Sequence, residues 1–268
     1  MPDLPGTADS HALQTRRAPL SMRALIDFIN GYHPHYASVV RGYGEQEIAN
    51  LELYLERDLP ARHREFLSTM GRNAGFSLGD MNVDPAEVIA LITNRDAFPE
   101  YLAPFAVDDG TIFSDYYLDL RFPASRAPDG AVEDAMVVRI AAGGAITDAP
   151  LPRAHSLTDM MFTWAFSAVR QQAHAERATL SWDASGSDRD RPSLDRLEEL
   201  MAKLGFDRLT HTSKFARMFE RGDAAGWSHQ RPGEEDFAIM LSAADRRTLL
   251  GVLEPLRDAM PARGASSI

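Results

Sequence analysis

Cysteine is absent from this 268-residue chain. That excludes disulfide bridges, thiolate metal ligands and a cysteine nucleophile together. Long apolar runs are missing as well, since none approaches the ~18 residues that a membrane-spanning helix needs. Lysine occurs only as Lys203 and Lys214, so the bases are almost all arginine. The first twenty residues, MPDLPGTADSHALQTRRAPL, have Arg16-Arg17 but no apolar stretch behind the pair. They read as a flexible polar leader over 1–20 rather than a secretory signal. These features predict a cytoplasmic protein that does not engage a membrane.

Short catalytic motifs are lacking too. There is no glycine-rich phosphate loop, no Gly-x-Ser-x-Gly elbow and no His-Glu-x-x-His. Gly42-Tyr43-Gly44 is not followed by the third glycine of a dinucleotide fingerprint. His33 and His35 are two apart, so an extended segment would turn both to one side as metal ligands. No companion carboxylates can be identified, and a polar loop is the plain alternative. His63 reads as a surface helix residue. Asp108-Asp109 before Gly110 could do acid–base work, but Asp-Gly is also what a turn requires. No catalytic residue, metal site or cofactor is assigned.

What is plentiful is negative charge, and it is localised. The formal net charge is −11. Residues 80–134 hold twelve acids against three bases, whereas from residue 173 onward sixteen acids nearly balance fourteen bases. Such a field disfavours direct nucleic-acid binding and would steer a basic protein partner. Solubility alone is the competing explanation. The candidate partner-binding set is Asp80, Asp84, Glu87, Asp108, Asp109, Asp115, Asp119 and Tyr116. In the run Tyr116-Tyr117 alternation puts one ring in the core and one outside, beside the acids.

The chain divides in two. MRALIDFIN (22–30) has helical spacing. Ile48, Leu51 and Leu55 make one apolar stripe, widened by Tyr54, and Leu59-Pro60 then stops that helix. A second helix runs to Met70 with Phe66 and Leu67 inward, and Gly71 closes it. A short helix is predicted over 83–92 and strands over 102–107, 114–122 and 135–141, with Leu118 and Leu120 on one face. A strong helix follows over 155–172, capped by Ser156, with Trp164 in the core. Residues 173–192 read as a linker, because SWDASGSDRDRP is polar and charged. Trp182 could cover the joint between the two parts. Beyond it, 193–262 reads as a small α-β-β-β-α unit, and the chain as a whole as α+β.

The order of elements in the first part resembles the SUKH superfamily, the Smi/Knr-type proteins, over 22–172. The matching features are Ile48 and Leu51-Glu52 on an acidic helix, Leu59-Pro60, and Arg64-Glu65-Phe66-Leu67 on the next helix. An apolar strand ending at Gly110, the Tyr116–Leu120 strand and the helix from Ser156 complete the set. Met70-Gly71-Arg72-Asn73-Ala74-Gly75 stands where the family has Asn-Gly-Gly. The C-terminal unit is similar to an appendage on some bacterial members, through LGF and FERGDAA.

The resemblance implies helices packed around a mixed β-sheet and no catalysis. It also implies the work of an immunity protein, which binds a cognate bacterial toxin, often a nuclease or deaminase, and blocks it. The acidic span would then mimic a phosphate backbone in the basic cleft of the toxin. A non-catalytic regulatory adaptor of the same fold is the second expectation, and a metal-dependent enzyme using His33 and His35 the third.

Overall fold

The structure, a computed structural model, describes residues 21–79, 81–93, 99–108, 110, 114–141, 150–183, 192–260 and 264–267. The expected leader over 1–20 lies outside the described residues, as do Asp80, Asp109 and the 184–191 part of the expected linker.

Helix α1 (Met22–Asn30) starts at Ser21, whose side chain accepts the Ala24 N–H, and it buries Met22, Leu25, Ile26 and Ile29. Helix α2 (Glu45–Leu55) turns Ile48 and Leu51 inward. The Leu59-Pro60 step separates it from α3 (Ala61–Met70), which buries Phe66, Leu67, Met70 and, against expectation, His63. Gly42 has no room for a side chain: a Cβ there would lie 1.8 Å from the Ser68 carbonyl oxygen. Close packing therefore explains a glycine that no nucleotide fingerprint does. In the segment Met70-Gly71-Arg72-Asn73-Ala74-Gly75, Asn73 bridges to Arg41, and Gly75 takes φ +70° against the Tyr36 ring.

The first sheet is an antiparallel meander, order β1-β2-β3-β4-β5. Its strands are β1 (Met81–Asn82), β2 (Leu102–Asp108), β3 (Ser114–Arg126), β4 (Val132–Ala141) and β5 (Leu151–Ala154), with α4 (Pro85–Thr93) between β1 and β2. Both faces are covered. Ala103, Phe105, Tyr116, Leu118 and Val137 join the main core with α1, α2 and α3. Leu102, Tyr117, Met136, Val138 and Ile140 form a smaller cluster with Leu91 and Tyr101.

The second sheet has the order β11-β6-β10-β9-β8-β7. It comprises β6 (Glu176–Trp182), β7 (Asp207–Leu209), β8 (Ala216–Arg221), β9 (Ala224–Gln230), β10 (Phe237–Ala243) and β11 (Gly264–Ser267). Helices α6 (Leu194–Lys203) and α7 (Arg246–Ala259) pack on one face through Leu197, Met201, Val252, Leu253 and Leu256. The fold is α+β, but neither sheet is mixed, because every strand pair is antiparallel. Among the described residues no βαβ crossover returns a strand to its own sheet in the parallel sense.

Part of the expected linker is sheet. Strand β6 pairs along its whole length with β10, Glu176 opposite Ala243 and Trp182 opposite Phe237. Its alternation places Ala178, Leu180 and Trp182 in the second core. Trp182 is thus not at the joint: its Nε1–H donates to the Met260 carbonyl oxygen at 2.8 Å, and its ring stacks on Phe237.

The joint belongs to α5 (Leu157–Phe166), which lies between the sheets. It touches β4 and β5 on one side and β8 on the other. A helix packed on two sides must be apolar nearly all round. LTDMMFTWAF is, and it buries Leu157, Met160, Met161, Phe162, Ala165 and Phe166. The helix does not continue as α to residue 172. Ser167–Gln171 widens into a π turn, in which Gln172 N–H donates to Ser167 O at 3.0 Å. Met218, Ala225 and Trp227 of the second sheet join the main core across this helix. Among the described residues no helix is long and apolar enough to cross a membrane.

Candidate functional site

The described acids of the candidate set do not form one face. Asp115, Tyr116 and Asp119 are buried in β3, the middle strand of a sheet covered on both sides. The Asp115 carboxylate accepts the Asp108 N–H at 3.2 Å. Asp119 holds Arg121 through two bonds, 2.9 Å to Nε and 2.7 Å to Nη2, and that guanidinium lies 3.8 Å over the Tyr101 ring. Tyr117 is buried as well, so neither ring of the pair is an exposed anchor. Asp134 is internal too. Its carboxylate accepts the backbone N–H groups of Ala135, Leu157 and Thr158 and the Thr158 hydroxyl, which fixes the start of α5 to β4. Burial pushes its carboxyl up, against the pull of those donors. Of the proposed set, Glu87 is exposed, and Asp84 and Asp108 are partly so. Asp84 accepts the Ala86 N–H at 2.9 Å, capping α4. Acids clustered in sequence are here divided between structural bonds and solvent.

A different surface combines exposed apolar groups with acids. Leu53 and Tyr54, adjacent on α2, are 75% and 54% exposed. Beside them a groove of about 580 Å³ is lined by Tyr54, Leu55, Ile92 and Leu120, with Glu56 and Glu100 at its rim. Leu55 and Leu120, expected in the core, are only partly buried because they face this groove. Its floor is tied down by Arg57, which donates to the carbonyl oxygens of Glu100 and Leu102. Glu56 ends α2 in the left-handed region, φ 54°, where glycine is usual. Tyr54 does not widen the stripe as expected. A signal was present in the sequence: Leu53 lies two residues from Leu51, off the apolar face.

A larger concavity than the α2 groove lies between the two sheets. A cleft of about 860 Å³ is bounded by the loop 33–39, the loop 75–79, the π turn after α5, Arg153 on β5 and Trp227, His229 and Arg231 from β9 and its exit. His33 and His35 both line it, His35 with φ 78°. Among the described residues no group of three His, Cys, Asp or Glu side chains is placed to hold a metal ion. Trp164 is half-buried: it packs against the main core and gives the cleft one wall. Trp227 gives another, its Nε1–H engaged by Gln171 at 2.8 Å. Burial, then Arg153 and Arg231, hold His229 down at about 4, so its ring is neutral at neutral pH. Burial also lowers Arg153, reinforced by Arg139 and Arg231. The sequence pairs His33 with His35 and names Trp164 separately. It gives no site role to Arg153, and Trp227 and His229 read as scattered residues, because only α5 and β9 bring these distant segments together.

A scan of protein-family models and a search of curated proteins find no match to the chain.

Proposed function

We propose that this chain is a stoichiometric binder of a basic protein, the action that the SUKH resemblance implies for immunity proteins, with a nuclease- or deaminase-type bacterial toxin as the partner. The observation that carries this reading is the exposed Leu53–Tyr54 pair beside the acid-rimmed groove. A tyrosine that is apolar along its length and polar at its tip is a typical anchor residue. Helix α2 supports the sign of the partner: EQEIANLELYL holds Glu45, Glu47 and Glu52 and no base, and Glu56 follows. Glu47 and Glu45 are paired with Arg72 and Arg64, and at the groove itself Glu56 and Glu100 stand against the single base Arg57. The binding face is therefore at the α2 end and not on β3.

The test is co-expression with the product of the neighbouring gene, scored by growth rescue and co-purification. Leu53→Ala with Tyr54→Ala is expected to weaken binding by roughly 2 kcal/mol or more, about thirtyfold in Kd. Glu56→Lys with Glu100→Lys is expected to slow association, most strongly at low salt. Rescue and affinity unchanged in both double variants would remove this face from the reading. Failure to bind any neighbouring-gene toxin would remove the reading itself.

A further inference from the structure

The interunit cleft is separate from the α2 groove and has the opposite electrostatic character. Acids outnumber bases 39 to 28 in the chain, yet no Asp or Glu lines this cleft among the described residues. Arg153, Arg231, His33, His35 and His229 do line it. Arg231 lies at the exposed edge, with Glu234 at 3.4 Å. Arg153 lies deeper, and no described carboxylate forms a salt bridge with it. A partly desolvated guanidinium is costly until an anion meets it.

The walls are aromatic. Trp164, Trp227, Phe76 and Tyr36 border the cavity. The Trp227 and Tyr36 polar atoms are already used, by Gln171 and by the Ala74 carbonyl oxygen, so these residues present ring surface. His229 Nδ1 is buried with no hydrogen-bond partner. The volume is that of a site for a nucleotide-sized molecule. The π turn contributes Ser167, Ala168 and Val169 to the lining, and such turns recur at functional sites.

We infer that the cleft is a binding site for a small organic anion with a planar ring, its phosphate or carboxylate held by Arg153 and Arg231 and its ring lodged among Trp164, Trp227 and Phe76. Arginine suits this task because its planar donors match both oxyanions in a bidentate manner. This inference does not rest on the toxin-binding reading, since the two surfaces share no lining residue.

The experiment is calorimetric titration of the full chain, with tryptophan fluorescence alongside. AMP is the phosphate probe and indole-3-acetate the carboxylate probe, with adenosine and indole as neutral counterparts. At least one anionic probe is expected to bind, and its neutral counterpart to bind roughly tenfold more weakly or worse. Arg153→Met is expected to weaken that probe by a similar factor while its melting temperature stays level or rises, because a partly desolvated guanidinium with no salt bridge to a described carboxylate is removed. A merely structural arginine would lower the melting temperature and leave binding per folded molecule unchanged. Should Arg153→Met not fold, Ala168→Phe, which fills the cleft from a partly exposed helical position, is expected to abolish binding. No binding of either anion up to about 5 mM, or equal binding by the substituted chains, overturns the inference.

Discussion

His63 shows how one side chain can set a pH response. It is fully buried on α3, edge-on to Phe105 with ring centroids 5.2 Å apart, and neither ring nitrogen has a hydrogen-bond partner. Burial holds its pKa down at about 3, against an ordinary value of 6.5. The unfolded chain therefore takes up a proton below pH 6.5 that the folded chain refuses until about pH 3. The contribution is fully present above 6.5 and is lost as pH falls through that window, at up to about 1.4 kcal/mol per pH unit. His63→Leu keeps an apolar group of similar reach there. Urea unfolding at pH 7 and pH 5 should show the variant losing about 1–2 kcal/mol less than the parent between the two. An acid limb as steep as the parent's would show that other groups dominate. Sequence alone placed His63 on a helix correctly but on its wet face. ARHREFLSTM has a weak apolar stripe, and a histidine between two arginines gives no sign that β2 covers it.

At the scale of the element, α5 illustrates what periodicity reveals and what it hides. Its Ser156 cap and apolar content were legible, and Ser156 does accept the Asp159 N–H at 2.9 Å. Its second cap was not, because Asp134 comes from β4, 23 residues earlier. Asp134→Ala leaves buried N–H donors unanswered and should cost about 2–3 kcal/mol. Asp134→Asn retains one acceptor oxygen and should cost less. Denaturant midpoints of the two variants decide the point, and equal midpoints for Ala and Asn would remove the capping role. Strand β6 is the converse case. Its alternating ATLSW pattern is too short to stand out beside a charged, serine-rich neighbour. Pairing with β10 makes it a strand, and that partner lies some sixty residues away in sequence.

At the scale of the molecule, the two sheets are coupled by polar bonds as well as by the shared core. Asp159 on α5 accepts the Ser213 N–H at 2.8 Å and its hydroxyl at 2.6 Å. Glu220 on β8 receives Tyr32 Oη–H at 2.7 Å and Arg170 Nε–H at 2.5 Å. Gln171 donates to the Met240 carbonyl oxygen at 2.7 Å. With Met218, Ala225 and Trp227 also in the main core, the chain should unfold in one cooperative transition. Asp159→Ala should shift that transition as a whole, by about 2–4 kcal/mol, rather than split it. Calorimetry with coincident tryptophan and far-ultraviolet traces checks this. Two separated transitions in the parent chain would show the parts to be independent.

The sequence by itself determined the helices and the central strands β2, β3 and β4 of the first part, the Ser156 cap and the α+β class, but not the edge strands β1 and β5. These follow from periodicity, proline and cap chemistry, all of which act within a few residues. Only the tertiary structure decided which acids face water. A carboxylate on a central strand is buried by what packs above and below it, and the negative run over 80–134 is silent on that. Tertiary structure also decided that two arginines and three histidines of an acidic chain line one cleft. His33, Arg153 and His229 are brought there from three distant segments by the helix between the sheets, and no local pattern records that meeting.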